Sequence, residues 1–268
     1  VKIRKQFKFH VSSDRDRQLE KERYDTKAMM EHNSLATEKP GDQPSSIATL
    51  LNQPYEFYYR KITEGITSNM KVLELGAGTG THTGVLMKSG ASVTALDISP
   101  ISLNVLREKF HNGVQVVCAS MDEIPLPGAT FDVIVSAGSL SYVDFKKVLG
   151  EIKRLLKDDG TLIIVDSLNH NLVYRTNRFV HFLLKRRSYS TLIRMPTKQT
   201  IHEFRRCFAV SEVKFFGSYL WLLAPISKLL PSADITLFNS FLEKKLPSGR
   251  NSFKFVLYCT NYTHNEGK

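Results

Sequence analysis

Cysteine is scarce in this chain: Cys118, Cys207 and Cys259 are the three it has, far apart, with no C-x-x-C pair and no histidine cluster at metal-ligand spacing. A disulfide framework and a thiolate metal site are therefore excluded as organising features, and the thiols read as reduced and mostly core. Long apolar runs are missing as well. None reaches the length of about 18 residues needed to cross a membrane, and no signal-peptide stretch follows the basic first residues. The expectation is a cytoplasmic protein, with a peripheral seat at a membrane left open.

Net charge is also lacking over most of the length. Val1 to His170 carries 21 Lys+Arg against 21 Asp+Glu, whereas the residues from Asn171 onward carry 16 against 5, so the formal charge of +11 belongs to the last third. A basic surface there suits an anionic small molecule, an anionic lipid surface or nucleic acid; the plain alternative is a solvated basic face. With 268 residues, 42% of them hydrophobic, the chain can bury a substantial core as one elaborated domain or two small ones.

What is present is concentrated in Lys71 to Gly80, K-V-L-E-L-G-A-G-T-G. Val72, Leu73 and Leu75 suit a parallel strand buried on both faces, and Gly76, Gly78 and Gly80 follow with Ala77 between the first two. Such glycines let backbone approach a ligand, so the amides opening the next helix are expected to face a polar group. A phosphate-binding loop needs Gly-Lys-Ser/Thr, and here Thr81 and His82 follow Gly80; nucleoside triphosphate is disfavoured. A dinucleotide turn begun at Gly76 needs its third glycine at position 81, which is Thr. Glycines that only turn a strand into a helix are the plain reading.

Before this turn, Ser12 and Ser13 suit the cap of a charged helix from about Asp14 to His32, and residues 33–46 read as loop. A helix from about Ile47 to Thr63 presents Leu50, Leu51, Tyr55, Tyr58, Tyr59 and Ile62. After the turn come a helix over Thr81–Ser89, a strand over Ala91–Leu96 and a helix from Pro100 to Phe110. Strands follow at Val114–Cys118, Phe131–Ser136 and Thr161–Asp166, with a helix over Phe145–Leu156 closed by K-D-D-G. Asp97, 21 residues beyond Gly76, falls at a strand tip, where a carboxylate accepts hydrogen bonds from both hydroxyls of a ribose. Helix capping is its plain alternative. Further on, helices are expected at Tyr174–Leu184, Lys198–Phe208 and near Asp234–Lys245, with strands at Val210–Phe216 and Ser252–Thr260. The apolar stretch between those two strands suits core, a pocket roof or a membrane contact.

The compact E-x-G-x-G-x-G of Glu74 to Gly80, the acid at Asp97 and the I-P-L-P of Ile124 to Pro127 together resemble the class I S-adenosylmethionine-dependent methyltransferases of small molecules, in particular the ubiquinone and menaquinone biosynthesis group. The resemblance covers roughly Lys71 to Asp166. It implies an α/β, Rossmann-like, seven-stranded, mostly parallel sheet with helices on both faces and helical insertions after strands five and six. In these terms residues 1–46 are a helical arm or lid, and 47–268 the methyltransferase domain with insertions at about 170–207 and 217–248. Tyr24 resembles an aromatic that covers the cofactor, or is a packing tyrosine. The implied cofactor is S-adenosylmethionine, leaving as S-adenosylhomocysteine, and its binding residues are Glu74, Gly76, Ala77, Gly78, Gly80, Asp97 and Ile98. Ser120 stands where the family's loop carries an Asp for the adenine amino group; Met121 lies against the ring or Asp122 substitutes. Ser136 and Ala137, small residues closing strand four, leave room for the reacting centre.

Methyl transfer is an in-line displacement, so alignment comes first. A hydroxyl acceptor also needs a base, for which His170, Tyr142 and Asp144 are the candidates; a carboxylate or thiolate acceptor needs none. Ser136 to Ser139 is not the Asn/Asp-Pro-Pro-Tyr of nucleic-acid methyltransferases, so nucleic acid is disfavoured. The expected partner is a small molecule that is anionic, sugar-like or lipid-linked, with O-methylation favoured. A binding module without catalysis stays open, as does a NAD-dependent oxidoreductase using Tyr142 and Lys146.

Overall fold

In the computed structural model the described residues are 18, 21–23, 25–26, 28–29, 46–111, 113–184, 189–226, 232–246, 249 and 251–262. Residues 1–17, Tyr24, and the cations Lys185, Arg186 and Arg187 lie outside them, as does most of the loop before helix α1 (Ser46–Gly65). The apolar runs form strands β1 (Lys71–Leu75), β2 (Ser92–Asp97), β3 (Gln115–Cys118), β4 (Phe131–Ala137) and β5 (Leu156–Ser167), followed by β6 (Phe208–Phe216) and β7 (Lys254–Tyr262). They make one seven-stranded sheet in the order β3-β2-β1-β4-β5-β7-β6. Neighbours from β3 to β5 pair parallel, and β7 runs antiparallel to both β5 and β6. The chain winds outward from β1 to β3, then returns to β4 on the other side of β1. That reversal opens a crevice at the carboxyl ends of β1 and β4.

Alternate residues of each strand feed two cores. On one face Val72, Val93 and Val133 pack with Tyr58 and Ile62 of α1, Leu86 of α2 (Thr83–Met87) and Leu106 of α3 (Pro100–Phe110). On the other, Leu73, Leu75 and Ile134 meet Val148, Ile152 and Leu155 of α4 (Phe145–Leu155) and Phe204 of α7 (Lys198–Arg205). Burial on both faces is why these strands carry little polar alternation.

K-D-D-G does not close a helix. β5 begins at Leu156, which pairs with Phe131, and the register slips before Val133 meets Thr161. Asp159 takes a positive φ of 59° in that irregularity, so three charged residues and Gly160 sit inside a strand. The chain between β5 and β6 also holds α5 (Leu172–Leu183) and α6 (Tyr189–Ile193). The short α6 was not anticipated. The apolar stretch after β6 becomes helix α8 (Leu220–Ile226), with Leu220 and Leu223 buried and Leu222 exposed. α9 (Ser232–Lys245) follows.

Gly217, after β6, ties these additions together. Its N–H donates to Glu243 of α9 at 2.9 Å and its carbonyl accepts from the Tyr174 hydroxyl of α5 at 3.3 Å. Its φ is +67°, and an added Cβ would sit 2.1 Å from the Phe253 ring. Gly217→Ala therefore combines left-handed backbone strain with overpacking and is expected to cost about 2–4 kcal/mol. Gly78→Ala, with nothing within 4 Å of the new carbon, should cost about 1–2 kcal/mol from strain alone. Urea unfolding midpoints of the two variants check the order.

Candidate functional site

The glycine turn is held by its own amides. Gly76 N–H and Ala77 N–H both donate to Leu96 C=O, at 2.8 and 3.0 Å, and Gly80 N–H donates to Ala77 C=O at 3.0 Å. Gly78 N–H donates to the Asp97 carboxylate at 2.8 Å. These four amides of the turn are thus engaged within the protein. What the glycines provide is approach. Gly76 has φ +69° and its added Cβ would meet Ser139 at 2.6 Å, while Gly78 has φ +54° and open space beyond it. Gly80 is a packing glycine whose Cβ would sit 2.6 Å from Phe110 of α3.

Asp97 closes β2 with its second carboxylate oxygen accepting from Ser99 N–H at 2.9 Å. Burial pushes its pKa up, while the bonds from Ser99, Gly78 and Ile98 N–H pull it down. Ser99 in turn caps α3, its hydroxyl accepting from Ser102 N–H at 3.0 Å and donating to the Asp25 carboxylate. The N-terminal helical residues are thereby tethered over the site. Ala28 reaches the cavity, and the Arg23 guanidinium donates to the Tyr142 hydroxyl at 3.3 Å.

Between these elements lies a cavity of about 680 Å³. Gly76, Ala77 and Gly78 form its floor, Asp97, Ile98, Ser120 and Met121 one wall, and Ala137 to Ser139 with Tyr142 and Val143 another. The opposite side is aromatic: Tyr55 and Tyr59 of α1 with His82. His82 stacks on Tyr55 with ring centres 5.2 Å apart, and its Nδ1 shares a hydrogen bond of 2.7 Å with the Tyr59 hydroxyl. Burial, with Lys254 nearby, lowers its pKa to about 4, so the imidazole is neutral at ordinary pH. Lys254 Nζ donates to the Tyr55 hydroxyl at 2.8 Å from behind that ring.

The sequence reasoning missed this aromatic wall. Its only signal was the spacing of Tyr55 and Tyr59, one turn apart on α1, and a histidine two residues past the last glycine. Of the residues singled out for catalysis, Tyr142 alone lines the cavity. His170 is exposed beyond β5, and Asp144 is the exposed N-cap of α4, accepting from Lys146 N–H at 2.9 Å. Lys146 does not join Tyr142 at the cavity. Asp122 stands behind Ser120, accepting its hydroxyl proton at 2.5 Å, and so leaves the Ser120 lone pairs directed elsewhere. Ser136 is buried against the Ser139 hydroxyl at 2.6 Å.

Residues 73–164 match the model of the family described as a methyltransferase domain. Over 226 residues the chain is 25% identical to a sterol 4-C-methyltransferase of Caenorhabditis elegans, covering 72% of this chain and 64% of that protein. It is 40% identical over 97 residues to a demethylmenaquinone methyltransferase of Corynebacterium urealyticum, covering 36% of this chain and 41% of the relative. In fold it is similar to the geranyl diphosphate C-methyltransferase of Streptomyces coelicolor, solved with S-adenosylhomocysteine, at a TM-score of 0.55 and 13% identity over 84% of this chain and 86% of that one. The likeness to a methyltransferase domain rests on residues 73–164. The chain thus spans less than two thirds of the length of these two relatives.

Glu74 lies under the turn and does not line the cavity. Its carboxyl accepts from the Thr83 hydroxyl at 2.6 Å, binding β1 to the first residue of α2. Burial raises its pKa from 4.5 to about 7, opposed by the Thr83 bond and assisted by Asp97. A carboxyl whose folded pKa is raised stabilises the fold fully below its unfolded value, and that contribution is lost as pH rises through about 7. Glu74→Gln keeps an acceptor for Thr83 and has no charge to bury. The variant should therefore gain on its parent between pH 5 and pH 8, by up to about 3 kcal/mol at the upper end. Urea unfolding at pH 5, 6.5 and 8 reads the divergence; parallel curves would contradict it.

Proposed function

We propose that this chain transfers a methyl group from S-adenosylmethionine to a small-molecule acceptor with a largely apolar body. The observation that carries the reading is the Asp97 carboxylate, fixed between Gly78 and Ser99 at the wall of a cavity floored by glycine. Its oxygens accept from the Ser99, Gly78 and Ile98 amides, and the carboxylate keeps acceptor capacity on its open side for a ribose hydroxyl. Ile98 and Met121 flank the adenine, and Ser120, its proton held by Asp122, accepts from the adenine amino group. Gly76 to Gly78 let the amino-acid portion lie against the backbone where a side chain would exclude it. Ser136 and Ala137 keep the floor low, while Glu74 and Gly80 hold the turn's shape from beneath.

S-adenosylmethionine supplies an electrophilic methyl on a positively charged sulfur. The chain's part is to orient the acceptor and exclude water, and the helical residues around Asp25 and Ala28 act as the lid of residues 1–46. The wall of Tyr55, Tyr59 and His82 faces the acceptor. A histidine whose pKa is about 4 is neutral but a weak base. It suits an acidic hydroxyl or an acceptor with no proton to lose, and an aliphatic alcohol poorly. Tyr142, held by Arg23, is the second group that can touch the acceptor. The relatives named for sterol and demethylmenaquinone support an apolar acceptor.

Calorimetric titration tests the binding half. S-adenosylmethionine and S-adenosylhomocysteine should both bind, and Asp97→Ala should weaken each by about 100-fold, as expected for two hydrogen bonds to a charged group. The melting temperature of the variant is read alongside to separate lost binding from lost fold. Heat from neither ligand with the parent chain would end the proposal. Labelled-methyl transfer into a lipid extract and a water-soluble extract then tests the reaction: label in the lipid phase is expected, and binding without transfer to either would leave a ligand-binding module.

A further inference from the structure

α5 buries none of its residues. Leu172 is 76% exposed, Phe179 52% and Leu183 61%, and their spacing of seven and four residues places them on one helical face. α9 repeats the pattern with Leu237 at 69%, Phe238 and Phe241. Each helix turns a different face inward: Tyr174 of α5 and Leu242 of α9 pack on the same core cluster as Phe253. The two bonds at Gly217 fasten both helices at one place. That place is the carboxyl end of β6, which runs parallel to β5 and so shares the sheet edge that carries the cavity. α9 also packs against α1, the helix of Tyr55 and Tyr59.

Apolar faces left outward at a site's rim call for an occupant, and charge selects it. α5 contains Arg175 and Arg178 and no acid, and α9 ends in the exposed pair Lys244 and Lys245. The segment from Asn171 onward has 16 Lys+Arg to 5 Asp+Glu. A second copy of the chain would set like charges against each other across the contact. Apolar side chains flanked by cations are what an anionic lipid bilayer accepts, the former entering the acyl boundary and the latter meeting phosphates.

We infer that the outward faces of α5 and α9 seat the protein on an anionic lipid bilayer, with the mouth of the cavity turned toward the lipid. Seating stands apart from the methyl-transfer reading; only delivery of an apolar acceptor from the bilayer rests on it. Flotation of the full 268-residue chain with vesicles, without cofactor or acceptor, tests seating alone. Co-flotation is expected with phosphatidylcholine vesicles containing phosphatidylglycerol, falling but not vanishing as salt is raised. The combined change Phe179→Ser, Leu183→Ser and Phe241→Ser should reduce binding by about tenfold or more while leaving S-adenosylhomocysteine titration and the melting temperature unchanged. Arg175→Glu with Lys244→Glu should abolish the preference for phosphatidylglycerol. Absence of co-flotation, equal binding to pure phosphatidylcholine, or full binding by the serine variant would each overturn the inference. So would a concentration-dependent dimer in sedimentation that the serine variant abolishes, since the faces would then meet each other.

Discussion

The carboxylate of Asp97 joins two pieces of backbone at the corner of the site. One oxygen takes the amide of Gly78 and the other that of Ser99, so the turn after β1 and the start of α3 are pinned to the tip of β2. Burial disfavours a charge there, and bonds from the backbone to that charge oppose the penalty. Each such bond to an ionised acceptor contributes about 1.5–3 kcal/mol, enough to fix a turn with three glycines in one shape. The tether then extends: Ser99 caps α3 and reaches Asp25, so the covering residues depend on the same corner. A site assembled this way has its polar ligand group already in place before anything binds, and little reorganisation is left to oppose binding.

Charge is managed differently on the aromatic side. The last third of the chain is strongly basic, yet the cation nearest that wall, Lys254, is bonded to the Tyr55 hydroxyl and lies 4.5 Å from that ring's centre. The same lysine helps keep His82 neutral. An imidazolium there would repel a sulfonium, whereas ring faces of Tyr55 and Tyr59 are electron-rich. A net charge of +11 is therefore compatible with a cationic cofactor because, among the described residues, none that lines the cavity is a lysine or arginine.

How much of this is legible from residues alone depends on how local the cause is. Strands β1, β2 and β4 are apolar runs bounded by turns, and their limits fall within a residue or so of the observed ones. Asp97 and the glycines follow from spacing within one strand-helix-strand unit. The failures all involve contacts distant in sequence or a strand that ran on. β5 starts at Leu156 because Leu156 pairs with Phe131, and no local pattern marks that pairing. His170 was placed near the site by its distance from β5. In the structure the chain leaves that strand toward Pro196, whose carbonyl accepts from Asn169 N–H at 2.8 Å, and the histidine is carried outward. Tyr59 and His82 are 23 residues apart, and only the packing of α1 across the turn joins them. The acceptor of the Gly76 and Ala77 amides, Leu96 C=O, belongs to another strand, and nothing in the turn's own residues marks it.

The placement of the two helical additions follows from the direction of the last strands. β7 runs antiparallel to β5, and β6 antiparallel to β7, so β6 is restored to the direction of the parallel strands. Chain leaving β5 and chain leaving β6 consequently emerge at the same edge as chain leaving β1, β2 and β4. The additions at that edge meet the core at few points, α5 through the half-buried Tyr174 and α9 through Ile235 and Leu242. A parallel sheet thus gives the cofactor corner and the acceptor rim a common side while leaving their sequences nearly independent. The methyltransferase match ends at residue 164, inside β5 and before the first of the basic, outward-facing helices begins at Leu172.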